Sequence, residues 1–341
     1  MTYSRRQFGK LAITSLPLAA AVFSDPRRMI AATRPDSKFN GVQIGVITPY
    51  SYHNMPNDAK SLLSLIVQDG INATEIQCPP VEEWAGAPAA PPFGGGMRPP
   101  MGAPGSGMNG PPPGQPRPKP TPEQLAARKA HNDAMTKWRL ATPVDKFAEF
   151  RKMYNGAGVS IYGFKLALTA DMLGAEFDYA FNVTRALGAN QLTMEMPDDG
   201  RLTARIGQFA GKHKMMVGYH AHTQATPTTW DEAISQSPYN GINLDIGHYT
   251  AAGNHDALAF IQKNHSRITS MHLKDRKFPE NGGSNMPWGQ GDTPIKEALQ
   301  LMKKEGYTFP ATIELEYNPP EGSNSEKEVA RCLAYAKAAL A

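Results

Sequence analysis

The sequence predicts an α/β chain closed into a (β/α)8 barrel, and three observations carry that expectation. Short apolar, β-branched runs alternate with longer helical patterns between residues 42 and 340, which is how parallel strands joined by helices read. There are eight such runs, the strand count of a closed barrel. No glycine-rich phosphate turn follows the first run, where Ile44-Gly45-Val46-Ile47-Thr48-Pro49 leads into Tyr50-Ser51-Tyr52-His53. That disfavours a doubly wound open sheet, the alternative architecture.

Ahead of the first strand, Ser4-Arg5-Arg6-Gln7-Phe8-Gly9-Lys10 precedes an apolar stretch at 11–23, too short to cross a bilayer as a helix. Residues 1–32 resemble a twin-arginine export signal, which implies passage in folded form and a periplasmic or extracellular mature protein without stable membrane association. Small residues at 19–21 and 31–32 offer two cleavage points. Strands are expected at 42–49, 74–78, 160–168, 191–196, 215–222, 242–246, 268–274 and 311–317. Helices are expected at 58–67, 177–187, 203–212, 257–264, 295–305 and 327–340. Residues 40–341 then form one barrel domain. It is interrupted at 86–120, where 21 of 35 residues are Pro or Gly and none is acidic. Such a stretch buries too little apolar surface to offset its ordering entropy, so a disordered insertion after the second strand is expected. A capping Thr, a first-position Pro and a Gln three residues on make Thr121-Pro122-Glu123-Gln124 a helix start. Thr142-Pro143-Val144-Asp145 reads as a second start, with Gly156 placed to end that helix.

The chain has 341 residues, 40% hydrophobic and 19% charged, with 35 basic and 31 acidic side chains. Within residues 1–32 five are basic (Arg5, Arg6, Lys10, Arg27, Arg28) and one is acidic (Asp25), so the remainder balances at 30 of each. A neutral barrel argues against a nucleic-acid partner, which clustered Lys and Arg would hold. The two cysteines, Cys78 and Cys332, have no ligand-like spacing and read as buried thiols.

Chemistry in a closed barrel belongs at the C-terminal strand ends. Each of the last five runs carries charged or imidazole residues there: Leu192-Thr193-Met194-Glu195-Met196, Gly218-Tyr219-His220-Ala221-His222, Asn243-Leu244-Asp245-Ile246-Gly247-His248, Met271-His272-Leu273-Lys274-Asp275-Arg276 and Thr312-Ile313-Glu314-Leu315-Glu316-Tyr317. Residues two apart in a strand share a face, so His220 with His222, His272 with Lys274, and Glu314 with Glu316 each point one way. Carboxylates and imidazoles converging on one small volume repel and desolvate badly, which a divalent cation relieves. The mixed ligand set suits Mn, Zn, Co or Fe, with Mg also admitted. Singly, each residue has an ordinary reading: His220 as a hydrogen-bonded core residue, Glu195 as a partner of Arg201 or Arg205, Glu316 as a partner of Lys274. His53, His131, His213, His255 and His265 read as ordinary polar residues.

These runs, together with Trp288-Gly289-Gln290-Gly291-Asp292-Thr293-Pro294, resemble the sugar phosphate isomerase/epimerase family with its xylose isomerase-like TIM barrel, in order over roughly residues 40–341. The resemblance implies one divalent metal ion held by Glu195, Asp245, His272 and Glu314. Many relatives draw the first carboxylate from the fifth strand, which here carries histidines, so Glu195 of the fourth strand is taken in its place. It implies a small-molecule carbohydrate substrate and an enediolate formed when a hydroxyl-bearing carbon loses its proton.

On that reading Glu195 and Glu314 are the acid/base pair. His222 and His248 bind hydroxyls or shuttle protons. Lys274 stabilises the oxyanion or pairs with Glu316, and Trp288 stacks on a sugar or anchors its loop. His220, Glu316 and Arg276 complete the substrate-binding set. The same intermediate serves isomerisation, epimerisation or elimination, so a keto-sugar lyase or deglycosylase stays open beside the isomerase/epimerase. A non-catalytic sugar-binding barrel is a weaker alternative. Apurinic-site endonucleases share the barrel but call for a basic surface. A homo-oligomer is left open.

Overall fold

The computed structural model describes residues 34–91 and 120–341; the segment at 1–32 that is expected to be an export signal, and most of the Pro/Gly-rich stretch at 86–120, lie outside the described residues. Eight parallel strands form the barrel: β1 (Val42–Thr48), β2 (Ala73–Gln77), β3 (Ser160–Lys165), β4 (Gln191–Glu195), β5 (Met216–His220), β6 (Asn240–Asp245), β7 (Ile268–Leu273) and β8 (Ala311–Ile313). Each pairs with the next, and β8 closes onto β1 through Ala311↔Ile44 and Ile313↔Val46. The helices are α1 (Ala59–Gln68), α2 (Cys78–Trp84), α3 (Pro122–Ala141), α4 (Asp145–Gly156), α5 (Gly174–Ala186), α6 (Gly200–His213), α7 (Asp231–Gln236), α8 (Ile246–Ala251), α9 (Ala257–Asn264), α10 (Ile295–Glu305) and α11 (Ser325–Leu340). Among the described residues no helix is long and apolar enough to cross a membrane.

Strand alternation divides the residues into two sets. Leu192, Met194, Val217, Tyr219, Leu244, Met271, Leu273, Ile313 and Leu315 join one buried apolar cluster with the helices; burying each such side chain contributes roughly 1.5–3 kcal/mol. The alternate residues are polar and bond across the barrel between strands that are not neighbours. Thr193 of β4 and Asn243 of β6 both donate to Glu75 of β2, and Gln191 of β4 accepts from Ser270 of β7. The register between β2 and β3 skips Tyr162, pairing Thr74↔Ile161 and then Glu75↔Gly163. This bulge turns the Tyr162 hydroxyl to within 2.7 Å of Thr312 Oγ1 on β8. Gly45 makes room for it, since a Cβ there would lie 2.5 Å from the Tyr162 ring.

All eight expected strands are present, and each ends one to four residues earlier than its apolar run. His222, Glu314 and Glu316 therefore stand beyond the ladder, at the barrel mouth. The capping box at Thr121 forms, with Gln124 N donating to Thr121 Oγ1 at 3.2 Å and Thr121 N to Gln124 Oε1 at 2.9 Å. The second expected start is corrected. Thr142 closes α3, its hydroxyl donating to Trp138 O at 2.6 Å, and α4 begins at Asp145 behind Val144 with no side-chain cap. Helices α2, α7 and α8 were not expected; at six or seven residues each, they are too short for a helical period to register. Helix α3 buries no residue. It is held by Arg139, which forks onto Glu82 of α2 at 2.8 and 3.1 Å.

Candidate metal centre

Each strand from β2 to β8 delivers at least one charged or imidazole side chain to the barrel interior or mouth. The innermost is Glu75, fully buried on β2. It accepts from Thr193 Oγ1 at 2.6 Å and Asn243 Nδ2 at 3.2 Å, and meets His272 Nε2 at 2.9 Å. The other ring nitrogen of His272, Nδ1, lies 2.6 Å from Glu314 Oε2. Burial alone would depress the His272 imidazolium, but the two flanking carboxylates outweigh it and push its pKa up to about 10.

Four buried side chains from successive strands, His220, Asp245, His272 and Glu314, each offer one ligand atom, and these atoms all lie within 4.8 Å of one another. The hydrogen-bond network assigns the His220 tautomer. Asn243 Nδ2 faces the acceptor-only carboxylate of Glu75 and Ser270 Oγ, so its Oδ1, 2.8 Å from His220 Nδ1, must accept from that nitrogen. His220 Nε2 is then a bare lone pair, 4.0 Å from Asp245 Oδ2. Burial, then the charge of Lys165, lowers the His220 pKa to about 3, so the ring is neutral.

Asp245 ends β6 and caps α8, its Oδ1 accepting from His248 N at 2.7 Å. Its Oδ2 is buried and meets Lys274 Nζ at 2.9 Å, an ion pair without the alignment of a hydrogen bond, and has no hydrogen-bond partner. Burial raises the Asp245 pKa, with Lys274 opposing. Glu314 goes the other way: burial works against its charge, and Lys274 and His272 hold it well below the usual carboxylate range. Lys274 Nζ also lies 3.2 Å from Glu314 Oε1 and 2.7 Å from Glu316 Oε2. Burial disfavours its charge, but Asp245, Glu314 and Glu316 keep it an ammonium.

Glu195 does not join the buried four. It is half exposed at the end of β4, paired to Lys165 Nζ of β3 at 2.8 Å and 3.4 Å from His222 Nε2. Arg201 instead pairs with Asp199, and Arg205 donates to the carbonyls of Ala170 and Met172. Burial works against Glu195 ionising, yet His220, Lys165 and His222 hold its pKa at about 2. His222 forms a second imidazole group with His220 and His248. The ring nitrogens of His248 face Lys274 Nζ at 2.9 Å and Arg276 Nη1 at 2.8 Å, and the neutral ring can accept from one of these at a time. Glu316 is anchored by Tyr50, whose hydroxyl donates to Oε1 at 2.6 Å. Trp288 packs edge-on against Tyr335, and its loop wraps Asp275, which accepts from Gly289 N and Gly291 N at 2.8 Å. His213 pairs with Asp178, while His255 and His265 stack on Phe278 and Tyr307.

A divalent cation fits this chemistry. Two carboxylates and two imidazoles are the donor set such ions accept, and Asp245 Oδ2, buried with an ion pair to Lys274 but no hydrogen bond, keeps lone pairs free for a ligand bond. With Nδ1 of His272 turned to the ion, its Nε2–H would donate to Glu75, the carboxylate–histidine pairing that orients metal-binding imidazoles. The structure thus gathers three of the four expected ligands, Asp245, His272 and Glu314, with His220, expected to bind substrate, in the fourth place. Glu75, Lys165 and Asn243 were not expected. The first two show the signal used elsewhere, a charged residue in an apolar run: Ala73-Thr74-Glu75-Ile76 and Tyr162-Gly163-Phe164-Lys165.

Residues 201–335 match the family described as xylose isomerase-like TIM barrel. Over 105 residues the chain is 30% identical to L-ribulose-5-phosphate 3-epimerase UlaE of Salmonella paratyphi A, a match covering 31% of this chain and 35% of the relative. It thus spans about a third of that curated relative's length. Among solved structures, L-ribulose 3-epimerase is similar with a TM-score of 0.54 at 12% identity, covering 88% of this chain and 94% of that one. The IolI protein with a bound zinc atom is similar with a TM-score of 0.53 at 14% identity, covering 88% and 98%. At such identities the two structures speak for the fold alone.

Proposed function

We propose that the chain, whose residues 201–335 match the xylose isomerase-like TIM barrel family, is a divalent-metal-dependent sugar isomerase or epimerase that moves a proton at the carbon beside a carbonyl. The observation that carries this reading is the buried group of His220, Asp245, His272 and Glu314 at the C-terminal end of the barrel. The sugar epimerases among the relatives and the zinc of the IolI structure support it. When bound, the metal supplies Lewis acidity toward a carbonyl and a neighbouring hydroxyl.

The chain's own residues divide the remaining work. Glu195 at the end of β4 and Glu314 just past β8 follow strands half a turn apart around the eight, so a sugar between them would meet a carboxylate from each side, as inversion at carbon requires. Glu195 is the better placed to take the proton, being ionised and outside the buried four. Lys165 orients it, at the cost of basicity, and His222 beside it can pass the proton to a hydroxyl or to water. His248 and Arg276 line the outer part of the site for substrate hydroxyls.

Metal analysis of the purified full chain tests the reading. It should carry about one divalent ion per chain, which Asp245→Asn or His272→Ala loses. Incubation in deuterated water with a panel of ketoses and aldoses should wash label into the true substrate. A fully active wild type stripped of metal, with both variants unchanged, would refute the proposal.

A further inference from the structure

Lys274 belongs to β7's inward set, two residues beyond His272, and its side chain is fully buried. Its ammonium nitrogen has four neighbours at contact distance: Glu316 Oε2 at 2.7 Å, Asp245 Oδ2 and His248 Nε2 at 2.9 Å, and Glu314 Oε1 at 3.2 Å. Three carboxylate oxygens and one imidazole nitrogen around one positive charge make a shell of the kind the neighbouring group offers a divalent ion. Two of the four neighbours, Asp245 and Glu314, belong to both shells.

We propose that Lys274 stands in for the cation in the metal-free barrel: its ammonium neutralises Asp245 and Glu314 until a divalent ion arrives, then withdraws to Glu316 and His248. The inference rests on the metal reading above. Without Lys274, three buried carboxylates would converge with only the His272 imidazolium, at Glu314, as counter-charge, a cost that breaking a buried ion pair makes large. An ammonium can fill this role because it is a compact point charge on a flexible stem, unlike a guanidinium fork. The place of withdrawal is already built. Glu316 and His248 lie outside the four-residue group, and Tyr50 fixes Glu316 through its other oxygen. The root of the stem is confined, because a Cβ on Gly247 would come within 2.2 Å of Lys274 Cγ, so the movement is left to the end of the chain. Metal affinity is thereby lowered by the work of displacing the ammonium, in exchange for a barrel that stays folded while empty of metal.

The test uses the full chain and Lys274→Met, which keeps length and removes charge. Zn2+ and Mn2+ dissociation constants are measured against a chromophoric chelator, and melting temperatures with and without metal. Lys274→Met should bind metal about ten- to a hundredfold more tightly than wild type, the range over which neighbours of metal ligands act. Its metal-free form should melt lower, and added metal should raise that temperature more than in wild type. Glu316→Gln, which weakens the place of withdrawal, should bind metal less tightly. Metal binding by Lys274→Met that is weaker than or equal to wild type overturns the proposal. If this variant does not fold without metal, recovery on refolding with Zn2+ supports the proposal and failure to recover overturns it. A wild type that binds no metal sinks the isomerase reading. In that case uptake by Lys274→Met still upholds the stand-in role, and no uptake by either ends both.

Discussion

Glu75→Gln is a change of one atom at the base of the site, and the geometry sets its size. Glu75 is surrounded by donors only: Thr193 Oγ1, Asn243 Nδ2 and the Nε2 edge of His272. An amide presents an NH2 to at least one of them, and the His272 imidazolium loses one of its two carboxylates. In the metal-free protein the His272 pKa lies at about 10, above the ordinary 6.5. The folded state therefore holds a proton that the unfolded chain releases first. This stabilisation is fully present below pH 6.5 and is lost as pH rises through 10. From about pH 6 to about pH 9 the loss amounts to about 3 kcal/mol. Denaturant unfolding of metal-stripped protein at those two pH values should show most of this loss in wild type, and less than half of it in Glu75→Gln. The metal-loaded protein reports the second role. Without the carboxylate behind its Nε2–H, His272 is a poorer ligand, and metal affinity should fall about ten- to a hundredfold. An unchanged pH dependence of stability together with unchanged metal affinity would show that Glu75 neither charges nor orients His272.

Two further outcomes follow from other buried charges. Lys165→Met removes the ammonium 2.8 Å from Glu195. The acidic limb of the pH–rate profile should move up by about one unit or more, and kcat should fall about a hundredfold with a smaller change in KM; a limb that stays in place refutes the pairing as a determinant of rate. Asp69, which accepts from the Tyr52 hydroxyl at 2.7 Å, has its pKa pushed up to about 7 by burial. The folded state then binds a proton that the unfolded carboxylate has released above about pH 4, so this group's contribution falls between about pH 4 and pH 7 and stays low above. Asp69→Asn should flatten that slope and raise the melting temperature at pH 8 relative to wild type, as read by calorimetry; a slope identical to wild type would refute the assignment.

The barrel was legible because each strand is apolar on its helix-facing side while charged residues interrupt the runs near their ends, a pattern that survives errors in strand length. The alternation that places His220 with His222 and His272 with Lys274 depends only on the two-residue period of a strand. Depth is a different matter. Glu195 stands directly beside His220 in the β4–β5 register, so spacing alone gives both an equal claim on a central ion. What separates them lies on other strands. Lys165 of β3 draws Glu195 to the rim, while Asn243 of β6 holds the His220 ring so that Nε2 faces inward. Those neighbours stand on adjacent strands, β3 beside β4 and β6 beside β5, a pairing that a local pattern does not carry. Glu75 was missed for a related reason. A lone carboxylate in Ala73-Thr74-Glu75-Ile76-Gln77 has no ligand-like companion nearby in sequence; its partners are Thr193, Asn243 and His272, more than a hundred residues on. A local pattern can therefore identify which side chains face inward, whereas the division between the candidate ligands and the residues that orient them emerges only from contacts across the closed barrel.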